Sequence, residues 1–259
     1  MTNYVKSEGN LKDCYLQLKE QQADITDAEQ LAGLRVSDAK EKGNWKKSEV
    51  CTNGAWAANG VVYDGKNVFV TDKAHNPIMK NIREAVEAHS ECREFTLGNK
   101  TIEKLRDLAK KHPEDARKTG VLLLTDHQGL PVEQLSNRQY SQFLLGQKAE
   151  PYGRLCQEAD INEIPVYFVP EGDVKRVGKP FGRALWVHDL DSRSSLLGNN
   201  GGLVLNYLDG RAFGVSSAQK FSIGNEGIER VVKALEKGIA FEHNGKLYVP
   251  VDKRALEQK

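Results

Sequence analysis

Four apolar runs of this chain end in acids: Asn67-Val-Phe-Val-Thr-Asp72, Val121-Leu-Leu-Leu-Thr-Asp-His127, Ile164-Pro-Val-Tyr-Phe-Val-Pro-Glu-Gly-Asp173 and Ala184-Leu-Trp-Val-His-Asp-Leu-Asp191. Carboxylates gathered at one sheet edge suit a hard divalent cation, which takes oxygen ligands and keeps several waters. Asp72, Asp126, Asp189 and Asp191 are therefore candidate ligands for Mg²⁺ or Mn²⁺, with Asp173 also available. Such an ion bridges phosphate oxygens or activates water. His127 and His188 stand beside these acids and are candidate proton carriers near neutral pH. Lys175, Arg176, Lys179 and Arg183 follow the third run, and cations beside acids and glycines suit a phosphate-bearing substrate. At each position there is a plainer use. Asp at a strand exit commonly bonds nearby backbone amides, and a basic loop is often simply solvated.

Two functions fit these residues. One is a metal-assisted hydrolase or phosphoryl-transfer enzyme acting on a phosphate-containing small molecule, a nucleotide or nucleic acid. The other is a non-catalytic regulatory module that binds a protein or RNA partner. No GxSxG, HExxH, EF-hand, kinase or zinc-finger pattern is present. Gly198-Asn-Asn-Gly-Gly202 has backbone amides for an anion but matches neither the Walker A nor the GxGxxG spacing. Lys+Arg (37) and Asp+Glu (36) nearly cancel, so no global field draws the chain to nucleic acid or an anionic membrane. No apolar run is long enough to span a bilayer, and the N-terminus has no signal-peptide stretch. Cys14, Cys51, Cys92 and Cys156 are widely spaced, as in a reducing compartment, so a cytoplasmic location is expected.

The elements that would position these residues come next. Apolar runs alternating with amphipathic helical stretches predict a Rossmann-like, mostly parallel α/β sheet over residues 60–195. Ligands of such sheets collect at the strands' carboxyl ends. Residues 1–59 read as a helical flank, with Thr26-Asp-Ala-Glu29 as a capping box and Gly43 as a stop. A helix is expected over Pro77–Ser90, another from Thr101 to Lys111, and a basic loop from Val174 to Arg183. Asp64-Gly65 signals a tight hairpin. Residues 196–259 read as hairpin, helix, hairpin, with turns at Asp209-Gly210 and Asn244-Gly245. The hairpin-then-helix order faintly echoes residues 61–88.

Two local resemblances accompany this reading. Val68-Phe-Val-Thr-Asp-Lys-Ala-His-Asn-Pro-Ile-Met79, with Leu122-Leu-Leu-Thr-Asp126 and Ile164-Pro-Val-Tyr-Phe-Val169, resembles a von Willebrand A-type domain. That family carries Asp-x-Ser-x-Ser after its first strand, where this chain has Asp72, Ala74 and Asn76. Asp189-Leu-Asp191 is similar to the Asp-x-Asp of haloacid-dehalogenase enzymes, followed here by Ser192-Arg193.

Overall fold

The computed structural model describes residues 4–91, 93–125, 129–169, 171–191, 196–197, 210–216, 241–243 and 246–248. In chain order, β1 (Val5–Glu8) precedes α1 (Leu11–Glu20), which Asn10 caps by accepting from the Asp13 amide at 3.0 Å. Next come β2 (Ala23–Ile25) and α2 (Ala28–Lys42). Asp27 and Gln30 form the capping box of α2, one residue later than the sequence suggested, and Gly43 ends it at φ 68°. β3 (Ala55–Tyr63) and β4 (Val68–Thr71) form the expected hairpin. Gly65 takes φ 92°, and the Asp64 carboxylate accepts from the amides of Lys66 and Asn67 at 2.9 and 2.7 Å.

The helix expected over Pro77–Ser90 is divided at Asn81 into α3 (Pro77–Lys80) and α4 (Ile82–Ser90). Then follow β5 (Phe95–Thr96), α5 (Asn99–Lys111), β6 (Val121–Leu124), β7 (Leu130–Pro131), α6 (Gln139–Leu145) and α7 (Ala149–Glu158). β8 (Glu163–Ile164), β9 (Val166–Tyr167), α8 (Glu171–Val177), β10 (Phe181–Val187), β11 (Leu196–Leu197) and β12 (Arg211–Ser216) complete the main unit. β13 (Phe241–His243) and β14 (Lys246–Tyr248) pair antiparallel on either side of Asn244-Gly245.

The Rossmann-like parallel sheet is corrected by the strand pairing. The sheet is mixed, with ten strands in the order β1-β12-β3-β10-β11-β9; β2 joins β12, β4 joins β3, β6 joins β4, and β5 joins β10. Most of its pairs are antiparallel, including β3–β4, β4–β6 and β3–β10. Among the described residues only β9–β11 and the single bridge Ala212–Trp56 run parallel.

The misleading signal was burial. Every residue of β3 is buried, because helices cover both faces of the sheet. An antiparallel strand covered on both sides shows the same unbroken apolar run as a parallel one. Ala55, Ala57, Val61 and Tyr63 join a core with α2, α6 and α7, while Trp56 and Ala58 join another with α1 and α4. Val62 and Phe69 meet Ile102 and Leu105 of α5.

Residues 1–59, read as a helical flank, also supply β1, β2 and the start of β3 to this sheet. The chain divides by compactness into residues 1–216 and 217–259. Among the described residues no helix is long and apolar enough to cross a membrane.

Candidate functional site

The described acids are not gathered into one metal-binding set. Among the described residues, no three His, Cys, Asp or Glu side chains come together as a metal set. Asp126 and His127 lie outside the described residues, as do Ser192–Ser195, Gly198–Gly202 and the helix expected over residues 225–237. The Asp72 carboxylate serves its own turn: Oδ1 accepts from the His75 amide at 2.8 Å and faces His75 Nδ1 at 2.8 Å. Gly120, at φ 70°, makes room for this pair, since a Cβ there would overlap the Asp72 carboxylate. Asp173 pairs with Arg176 at 3.1 Å on α8, and Asp191 is exposed. The metal-binding expectation is corrected accordingly.

The four cations expected to grip phosphate are also dispersed. The stretch read as a basic loop begins inside α8, where Lys175 pairs with Glu171 at 2.6 Å. Arg176 and Lys179 are exposed. Arg183 is only 5% exposed and holds the Glu94 carboxylate through Nε at 3.2 Å and through Nη2. Its guanidinium lies 5.6 Å from the centre of the Phe181 ring, which in turn stacks on Tyr63 at 4.9 Å. Arg183 is thus part of the framework. His188 is half-buried; burial pushes its pKa below the ordinary imidazole value, Asp189 works against this, and Arg35 adds to it. That keeps the ring neutral near pH 7.

A spacious concavity lies elsewhere, between the β3–β4 turn, β9 and α8. Its volume is about 880 Å³. Tyr63, Val68, Val166, Phe168, Val169 and Val174 give it apolar walls, and Gly65, Lys66, Asn67, Glu171 and Lys175 form its rim. The wall polar groups are accounted for, since the Tyr63 hydroxyl accepts from the Val169 amide at 3.1 Å. The Phe168 ring is held edge-on by Tyr140 at 6.0 Å. Of the described residues expected to bind a ligand, only Lys175 lines this cavity. Lys66 was missed, although the Asp64-Gly65 turn signal lay directly before it. Phe168 was hidden inside what read as a buried strand.

A sheet closed by strands from both ends of its unit, with helices on each face, defines a mixed α/β framework rather than a Rossmann-like parallel one. No family model and no curated protein matches the chain. Its structure is similar to a solved structure described as the accommodation of massive sequence variation in Nanoarchaeota by the C-type lectin fold. The TM-score is 0.51 at 16% identity, covering 82% of this chain and 94% of that one. At that identity the likeness establishes the fold, and the fold is that of the C-type lectins.

Proposed function

We propose that this chain is a non-catalytic binding module whose ligand seat is the cavity between the β3–β4 turn, β9 and α8. One observation carries the reading. Asp72 and Asp173 are committed to local partners, while the hollow beside the β3–β4 turn is apolar-walled with a charged rim. A volume near 880 Å³ falls in the range of pockets that enclose small molecules, which are mostly apolar with a few placed polar groups.

The reading is tested by thermal unfolding of the whole chain against a chemically varied panel of small molecules. A compound binding only the folded state at a hundred times its Kd adds about 2.7 kcal/mol, which raises Tm by roughly 5–10 °C for a chain of this size. Val166→Trp, which sets a bulky ring in the wall of the hollow, should abolish or sharply reduce that shift while leaving the ligand-free protein folded. A panel without any stabilising compound, or a shift undiminished in Val166→Trp, overturns the assignment.

A further inference from the structure

Resting on that reading of the cavity, we propose that its ligand is a small amphipathic anion: a flat apolar body carrying one carboxylate, sulfonate or phosphate. The argument begins with the rim charges. Glu171 and Lys175 neutralise one another at 2.6 Å. The nearest turn acid, Asp64, is consumed by the amides of Lys66 and Asn67, by the Asn67 side chain and by Arg106 at 3.0 Å. Among the described residues the Lys66 ammonium makes no ion pair. Among the described residues of the rim it is therefore the charge without an ion-pair partner, and it is positive. The same turn that uses up Asp64 holds the backbone of residue 66 beside the cavity.

Below that charge the walls are rings and branched aliphatics. Tyr63 is locked by its stack on Phe181 and by its bond from Val169, and Phe168 is steadied by Tyr140. Two ordered aromatic rings and the valines suit a flat hydrocarbon surface, which gains from burial and from ring–ring contact. An anionic head then meets Lys66 at the rim, where a charge can stay partly hydrated and escape the desolvation cost of the interior. A cation in the same place would meet an unpaired ammonium, and a neutral ligand would leave it unanswered.

The test uses two probes with the same rings: anilinonaphthalene sulfonate, which is anionic, and N-phenylnaphthylamine, which is not. Both are titrated by fluorescence into the full chain, into Lys66→Gln, into Glu171→Gln and into Val166→Trp, with each variant's Tm measured to confirm folding. The sulfonate should bind saturably, one per chain. It should weaken roughly five-fold in Lys66→Gln and tighten about two- to five-fold in Glu171→Gln, which frees Lys175. Raised salt should weaken the sulfonate alone. The neutral probe should respond to neither substitution. If both probes bind alike and neither substitution separates them, the anionic class is wrong while the cavity remains a ligand seat. If neither probe binds, or binding is unchanged in Val166→Trp, both the ligand class and the seat are overturned.

Discussion

Arg183 shows how little a residue's type reveals about its use. In sequence it belongs with Lys175, Arg176 and Lys179 as a cation beside acids, yet β10 turns it inward to Glu94. What decides this is strand alternation together with a carboxylate 89 residues away, and neither is visible locally. Arg183→Ala would strand Glu94, whose side chain is only 17% exposed, so urea denaturation should register a loss of about 3 kcal/mol. A phosphate-gripping surface arginine would show almost none. His188 makes a second prediction. Its folded pKa is depressed, so below the unfolded value of about 6.5 the unfolded chain binds the proton more readily. Stability should therefore be fully present above that pH and fall as pH drops from 6.5 toward the folded pKa. His188→Gln should flatten this part of the pH profile measured by urea midpoints, and an unchanged profile would refute the assignment.

At the level of elements, most units were legible and their partners were not. The hairpin at Asp64-Gly65, the stop at Gly43, the start of a helix at Pro77 and the strands at 121–124 and 184–187 all follow from turn chemistry and apolar runs, while residues 181–183, read as the end of a basic loop, already belong to β10. β1 and β2 went unseen because four and three residues carry too little pattern. Strand direction was misread because complete burial erases the alternation that marks an antiparallel sheet. The irregularity where β3 crosses β10 was also silent in sequence. Register shifts there between Ala184 and Leu185, passing over Ala58 and Asn59. The displaced Asn59 is buried, accepting from the Ala28 amide at 2.7 Å and donating to the Thr71 carbonyl at 3.3 Å. A bulge has thus been used to join a helix start to a neighbouring strand. Asn59→Ala would leave both groups without a partner, and we expect a loss of about 2–3 kcal/mol by chemical denaturation. Asn59→Asp should keep the bond from Ala28 and recover part of it.

For the molecule as a whole, the decisive element is the latest strand of the main unit. β12 lies between β1 and β3 and also carries β2, so three segments from the first quarter of the chain depend on residues 211–216. A chain ending at residue 216 should unfold cooperatively with a circular dichroism spectrum close to that of the same segment in the full protein. One ending at 209 should lose cooperative unfolding altogether, and if it folds normally, the closure argument fails. The same arrangement governs how the protein is made. Ser7 and its acceptor Ala212 are 205 residues apart, and bonds of that span are the slowest to form. On a ribosome adding about 5–20 residues per second, β1 emerges and waits roughly 10–40 s for its neighbour to exist. During that interval an unpaired strand edge is open to any other chain, so the nascent protein is more vulnerable to aggregation than the finished one. Its yield in a cell should depend on chaperone supply more steeply than the stability of the folded state would suggest.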